Sequence, residues 1–237
     1  MPLLPTTHEE HPMPNSISKH RSALLGLCIA SSAIVLSGCA STRPVAYAGL
    51  DSASQLRPNS QDESGRVPYS YSTRVDWRKY DEVIVAPVAI YRGRDAQFQK
   101  VSEEKKNILA QYMEEQFTAK LAERFRIANT PSPRTLRVQL TLTGAKTSTP
   151  VVSTFTHFDL AGGPYNVVQS VRGKEGMMMG SVSYAVEIYD ASDNRLLSAY
   201  VEKQYPNAMN VGSTFGGLSG SKTGIRKGAD ALLAQLN

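Results

Sequence analysis

Cysteine and histidine are scarce in this chain. Its 237 residues include two cysteines and four histidines. Both cysteines, Cys28 and Cys39, and every histidine except His157 lie within the first 39 residues. The remainder therefore has no thiol for a disulfide, a nucleophile or a thiolate metal site. A zinc site built from several His or Cys ligands cannot be assembled either, so we expect no metal.

A long hydrophobic run is also missing. The longest apolar stretch, Ala23–Leu36, is shorter than the ~20 residues that a transmembrane helix needs. Two basic residues, Lys19 and Arg21, precede it. A positive segment followed by a short apolar segment is the layout of an export signal, so a retained membrane-spanning anchor is not expected.

Leu36-Ser37-Gly38-Cys39 ends this stretch and resembles the bacterial lipobox. The resemblance implies that the signal, residues 1–38, is removed, that the Cys39 thiol carries diacylglycerol, and that its new amine is acylated. Ala40 stands where an Asp commonly signals inner-membrane retention, so the resemblance implies an outer-membrane anchor and a periplasmic domain. A secretory signal cut by the ordinary peptidase is the alternative. Residues 1–12 are superfluous for either signal, which predicts that translation begins at Met13.

Positive charge is present in modest excess, with a formal net charge of +5. Lys and Arg never form a long run, and no alternation of aromatic and basic residues recurs, so nucleic acid is not an expected partner. Residues 39–74 are rich in Ser, Thr, Asn, Gln, Arg and Pro. This composition predicts a lipidated cysteine followed by a flexible tether. Residues 75–237 are predicted to form a single periplasmic domain.

Hydrophobic periodicity predicts four strands and two helices in that domain. Val83–Ile90 is a β-branched run typical of a buried strand, and Pro87 within it predicts a bulge or an unpaired side. Three further strands, two of which alternate apolar and polar residues and so indicate one solvated face, are predicted over residues 136–142, 182–188 and 196–205. The last two strands read as a hairpin.

Helices are predicted over Ser102–Arg124, with Ser102 as the N-cap, and from Ser221 to the C-terminus. Gly224 and Gly228 are expected to let the second helix approach the sheet closely. The resulting order, β-α-β-β-β-α, predicts an α+β fold. We expect a two-layer sandwich, in which a mixed sheet carries both helices on one face.

The irregular segment 144–180 is the strongest candidate for a binding role. Irregular segments of this length are functional or disordered, and a methionine-rich surface is adaptable. The methionines could equally be the first residues of the following strand. The candidate residues of this partner-binding loop are Phe155, His157, Phe158, Tyr165, Met177, Met178 and Met179.

Catalytic groups are poorly represented. His157 would need a distant Ser and Asp, and the Gly-x-Ser-x-Gly motif is absent. Glu187 and Asp190 could be proposed as the carboxylate pair of a glycosidase. Their position around a predicted hairpin favours a solvated strand end instead. We therefore assign no catalytic residue and expect no enzymatic activity.

Two sequence blocks carry a resemblance to a known family. Tyr80-x-x-Val83-Ile84-Val85-x-Pro87-Val88 forms the first block. The second contains Gly180-Ser181, Glu187 and Asp190, followed by Leu196-Leu197-Ser198-Ala199-x-Val201. Both blocks resemble the Gram-negative lipoproteins known as the domain of unknown function 3313, over roughly residues 80–236. That family has no assigned activity, so the resemblance implies no catalytic residues.

Three classes of function are open at this point. The leading expectation is a non-enzymatic, lipid-anchored envelope module that binds a protein or a cell-wall component. We expect no cofactor other than the covalent lipid on Cys39. A carboxylate-dependent envelope hydrolase is the competing class, and a passive, tethered structural domain is the third.

Overall fold

A mixed, open sheet of nine strands lies at the centre of the structure. The structure is a computed structural model that describes residues 43–148, 175, 179–207 and 216–237, all within the unit 42–237. The strands are β1 Arg57–Pro58, β2 Tyr69–Ser72, β3 Glu82–Val85, β4 Ala89–Ile90, β5 Gln97–Gln99, β6 Arg126–Ile127, β7 Thr135–Lys146, β8 Ser181–Asp190 and β9 Leu196–Gln204. Their order across the sheet is β1-β2-β9-β8-β7-β3-β6, and β4 and β5 also pair with β7.

Strand β7 divides the sheet into an antiparallel and a parallel half. Strands β1, β2, β9, β8 and β7 pair antiparallel in that sequence. On its other edge β7 pairs in parallel with β3, β4 and β5 in turn. Pro87 lies between β3 and β4, which confirms the predicted interruption, because proline has no N–H to donate to the ladder. The predicted β8–β9 hairpin is also confirmed.

Two helices complete the fold: α1 Glu103–Leu121 and α2 Ser219–Leu236. The Ser102 side chain accepts a hydrogen bond from the Lys105 N–H, as predicted for an N-cap. Glu103 and Glu104 occupy the first turn of α1, where the helix dipole favours negative charge. Neither helix in the described part of the chain is long and apolar enough to cross a membrane.

Both helices pack on the same face of the sheet, which confirms the predicted α+β class. Met113 and Phe117 of α1 are fully buried. They belong to one hydrophobic core with alternate residues of the long strands, because successive strand side chains point to opposite faces. The helical and strand residues at the centre of this core are Leu109, Met113, Phe117, Leu121, Ile225, Leu232, Leu136, Val138, Leu140, Leu142, Val182, Tyr184, Val186 and Ile188.

The opposite face of the sheet is covered by the N-terminal segment, defined as residues 43–58. Tyr47, Leu50 and Leu56 are buried against side chains of β8 and β9. Strand β8 is consequently buried at all ten positions. This differs from the prediction of strands with one solvated face, because the covering segment is remote in sequence.

The predicted flexible tether over residues 39–74 also differs from the structure wherever these residues are described. The N-terminal segment packs on the sheet, and β2 adds a strand to the edge of β9. Amino-acid composition reports only on the burial of side chains. Backbone hydrogen bonds to an existing strand edge do not require apolar side chains, so a polar segment can join a sheet. The folded part thus begins well before the predicted boundary at residue 75.

Candidate functional site

A cavity of about 490 Å³ lies on the sheet face opposite the helices. We call it the sheet-face cavity. Its floor is formed by β7 and β8, and its walls by the N-terminal segment and by the chain from β4 to Gly93. It is lined by Gly49, Leu50, Asp51, Ala89, Ile90, Tyr91, Arg92, Gly93, Gln139, Thr141 and Glu187.

Three polar side chains form the floor of the sheet-face cavity. Gln139 on β7 and Glu187 on β8 are direct cross-strand partners. Thr141, two residues beyond Gln139, lies on the same face because strand side chains alternate. Its cross-strand partner is Ala185, whose short side chain leaves space above the sheet. Gln139 and Thr141, whose polarity predicted a solvated face of β7, therefore line the sheet-face cavity.

The walls of the cavity are fixed by hydrogen bonds between two segments that are remote in sequence. The Tyr91 hydroxyl donates to Asp95 Oδ1 at 2.7 Å and accepts from the Gly49 N–H at 3.0 Å. The Ala48 N–H donates to Asp95 Oδ2 at 3.1 Å. The hydrogen bond from Tyr91, with that from the Ala48 N–H, lowers the pKa of Asp95. These bonds join residues 48–49 to residues 91–95 and so connect the two walls of the cavity.

Glycine is required where the two walls meet. A Cβ on Gly93 would lie 2.3 Å from the Tyr91 hydroxyl oxygen. The Tyr91 ring in turn packs edge-on against Tyr47, with ring centroids 5.3 Å apart. Burial raises the pKa of Tyr47 to about 12, so its hydroxyl stays neutral and available to donate to Gln97.

Glu187 is the most deeply buried charged group of the site, at 2% exposure. Its Oε1 accepts a hydrogen bond from the Ser52 N–H at 2.7 Å. Within the described ranges no Lys, Arg or His pairs with this carboxylate, and its second oxygen accepts no hydrogen bond. Burial of Tyr189 raises its pKa to about 12, and the nearby negative charge of Glu187 contributes to this rise. A buried carboxylate without a cationic partner is energetically unfavourable.

Asp190 belongs to a different environment from Glu187. Its carboxylate accepts from the Tyr80 hydroxyl at 2.7 Å and from the Ser192 hydroxyl at 2.6 Å. Burial alone would raise the pKa of Asp190, but these hydrogen bonds outweigh it and lower the pKa. Tyr80 is part of the core under the helices, and residues three apart on a strand point to opposite faces. The two carboxylates thus lie on opposite sides of the sheet and cannot flank one glycosidic bond.

A second buried carboxylate, Glu202, lies under helix α2. It accepts from the Tyr184 hydroxyl and from the Gln204 side-chain amide, both at 2.6 Å. Burial raises the pKa of Glu202 despite these donors. A Cβ on Gly228 would lie 1.8 Å from the Tyr184 hydroxyl oxygen. The predicted close approach of α2 to the sheet is therefore confirmed, and this cluster is sealed by packing.

Most residues predicted for the partner-binding loop lie outside the described part of the chain. These are Phe155, His157, Phe158, Tyr165, Met177 and Met178. The same holds for the lipobox residues Leu36, Ser37 and Gly38 and for Cys39. Met179 is described, and its side chain is 1% exposed, immediately before β8. The loop assignment stays a prediction.

No metal centre is formed by the residues that the structure describes, since they contain no group of three or more His, Cys, Asp or Glu side chains able to hold an ion. Among the predicted residues that the structure describes, only Glu187 lines the sheet-face cavity. The wall residues from Gly49 to Asp51 were missed because they fall in the predicted tether. Three large apolar residues, Tyr47, Leu50 and Leu56, lie close to Gly49 in the sequence. Such residues are unusual in a solvated linker, and they could have indicated that this segment packs on the fold.

A family model described as "Protein of unknown function (DUF3313)" matches residues 46–232. The chain belongs to the DUF3313 family. The matched range includes the N-terminal segment from residue 46 and every residue that lines the sheet-face cavity. The family domain therefore begins earlier than the resemblance in the sequence blocks indicated, in agreement with the packing of Tyr47. No curated protein gives a significant match to the chain.

Two solved structures resemble this DUF3313 member distantly. A variant of PelC, a dodecamer from Paraburkholderia phytofirmans, is 13% identical, with 70% of this chain and 90% of that chain covered and a TM-score of 0.34. Protein XCC0632 from Xanthomonas campestris, assigned to the DUF330 family, is 9% identical, with 65% and 82% covered and a TM-score of 0.35. At these values neither similarity informs the function of this chain.

Proposed function

We propose that this protein is a lipoprotein, anchored in the outer membrane through Cys39, whose periplasmic domain binds a ligand or partner without catalysing a reaction. The sheet-face cavity carries the binding part of the proposal. It combines walls joined by hydrogen bonds with a polar floor on which Glu187 Oε2 accepts no hydrogen bond from the described residues. Concave sites of this kind, with a few convergent polar groups, are the usual form of ligand pockets.

The anchor and the domain are separated by very little chain. Arg43 follows Cys39 by four residues, and Tyr47, which is buried, follows it by eight. An extended chain spans at most ~3.6 Å per residue, so Tyr47 would lie within roughly 29 Å of the lipidated sulfur. The domain would then be held beside the membrane surface, in place of the long tether expected from composition.

The hydrolase alternative finds no support in the geometry. Glu187 and Asp190 lie on opposite faces of the sheet, and the hydroxyl donors around Asp190 belong to a turn and to the core. Among the described residues that line the sheet-face cavity, no second carboxylate is buried beside Glu187, because Asp51 lies at the exposed rim. A binding role requires no such pair.

The anchor is tested by labelling cells with a fatty-acid reporter and separating inner from outer membranes. Labelled protein should be found in the outer-membrane fraction, and the label should disappear in Cys39→Ala. Cys28→Ala is the matched control, since Cys28 lies in the segment that is removed, and it should keep the label. Label that persists in Cys39→Ala, or label confined to the inner membrane, contradicts the proposal.

The binding part is tested by photocrosslinking in intact cells. A probe at Asp51, on the rim of the sheet-face cavity, should form a discrete adduct, and a probe at the exposed Glu115 of α1 should not. Probes at Phe155, Tyr165 and Met178 examine the loop prediction in the same way. Equal adducts from the Asp51 and Glu115 probes would contradict specific binding at the cavity.

A further inference from the structure

We infer that the sheet-face cavity binds a primary ammonium group carried on an alkyl chain. This inference rests on the proposed binding role of the cavity and names the class of ligand. Its starting point is the unpaired negative charge on the cavity floor. Glu187 is 2% exposed, its Oε1 accepts a hydrogen bond from a backbone N–H, and no cation within the described residues pairs with it. A cation supplied from outside would offset the desolvation of this carboxylate.

The floor presents hydrogen-bond acceptors that match the donors of an ammonium group. Glu187 Oε2 accepts no hydrogen bond in the described structure. The Gln139 amide nitrogen is occupied by two carbonyl oxygens, of Pro87 and Leu140, which leaves its Oε1 available to the cavity. The Thr141 hydroxyl adds a third oxygen on the same face. An ammonium group has three N–H donors and no acceptor, so three oxygens can satisfy it.

The walls of the cavity suit the alkyl part of such a ligand. Leu50 and Ala89 line the space above the polar floor, and the ring of Tyr91 closes one side. The Tyr91 hydroxyl is already engaged by Gly49 and Asp95, so the ring presents apolar surface. Each methylene group that these walls remove from water favours binding of the alkyl chain.

Charged groups at the rim are consistent with a cationic ligand. Asp51 is exposed at the mouth of the cavity and adds a second negative charge. Arg92 is a positive charge that also lines the cavity, but it pairs with Glu103 at 2.9 Å. An anionic ligand would therefore meet an unpaired buried carboxylate, whereas a cationic ligand meets complementary charge.

Calorimetric titration of the purified full-length chain with a matched pair of compounds tests the inference. Putrescine, a four-carbon diamine, should bind, and 1,4-butanediol, which has the same length without charge, should not. Glu187→Gln should weaken putrescine binding at least tenfold, because a charge-assisted hydrogen bond is replaced by a neutral one. Glu115→Gln, the same substitution at an exposed position of α1, should leave the affinity unchanged.

Two further arms keep the test decisive. Thr141→Val removes one acceptor without changing charge, and a several-fold weakening is expected even if Glu187→Gln fails to fold. Nα-acetyl-lysine N-methylamide distinguishes the source of the ammonium group: tighter binding than putrescine indicates a lysine side chain, and weaker binding indicates a free amine. Equal binding of diol and diamine, no saturation by either amine at millimolar concentration, or unchanged affinity in both variants overturns the inference. A discrete Asp51 crosslink alongside such a result would keep the binding role and reject only the ligand class.

Discussion

Replacing Gly228 by Ala tests the packing of α2 on the sheet most directly. The added Cβ would lie 1.8 Å from the Tyr184 hydroxyl oxygen, 2.8 Å from its Cζ and 3.4 Å from Phe117 Cζ. Tyr184 has no room to withdraw, because it is fully buried and stacks edge-on against Phe117 at 5.8 Å. The substitution must therefore strain the packing of the helix on the sheet and displace the hydrogen bond from Tyr184 to Glu202.

The magnitude of the Gly228→Ala effect follows from three opposing contributions. Ala is favoured over Gly inside a helix by ~1 kcal/mol. Overpacking a well-filled core is unfavourable by about 1–3 kcal/mol. Loss of the hydrogen bond between Tyr184 and the buried Glu202 carboxylate is unfavourable by a further ~1.5–3 kcal/mol. The free energy of unfolding should thus fall by roughly 1.5–5 kcal/mol, although helix propensity alone predicts a gain.

Urea denaturation followed by far-UV circular dichroism measures this difference. Gly217→Ala is the matched control, because a Cβ there would meet nothing within 4 Å, and its stability should change little. Tyr184→Phe in the Gly228→Ala background should recover part of the loss, since it removes the atom in closest conflict. A Gly228→Ala protein as stable as the Gly217→Ala protein would refute the reasoning.

Three further predictions concern stability. Tyr47→Ala should lower the free energy of unfolding by about 3–5 kcal/mol, as for other buried aromatic residues. Val45→Ala, at a position 36% exposed, should change it by less than ~0.5 kcal/mol. Equal urea midpoints for the two variants would indicate that residues 43–58 are a flexible tether after all. Because burial raises the pKa of Glu202, the stability of the wild type should decline as pH rises from about 4.5 through the folded-state pKa. Over the same pH range the Glu202→Gln protein should become more stable relative to the wild type. Stability curves that run parallel across this range would contradict the prediction. Tyr80→Phe removes a donor to Asp190, so thermal unfolding should show a loss of about 1.5–3 kcal/mol at neutral pH. That loss should shrink as pH falls through the lowered folded-state pKa of Asp190, where the carboxylate is protonated; a loss independent of pH would contradict it.

The long elements could be predicted from the sequence because each has a periodic apolar face of its own. The row Leu109, Met113, Phe117 and Leu121 defines α1, and alternation defines β7. The core under the helices follows from these patterns. The family resemblance was confirmed over a wider range than its sequence blocks covered.

The opposite face and the candidate site could not be predicted in the same way. Strands of two to four residues, such as β2, carry too few side chains for a period, and they form because a partner edge is present. The coverage of β8 by Tyr47 and Leu50 depends on contacts between residues more than a hundred positions apart. Gln139 and Thr141 have the composition of a solvated face, and only this remote segment turns that face into a cavity.

The pairing of β2 with β9 has a consequence for the order in which the chain folds. Residues 69–72 pair with residues 198–201, so β2 can join the sheet only after a strand near the other end of the chain has been made. Closing so large a loop is slow compared with forming the local hairpin of β8 and β9. During synthesis the N-terminal part emerges first and must wait for its partner. The segment made earliest is then among the last to complete its hydrogen bonds, and until it does, the edge of β9 is open to pairing with another chain.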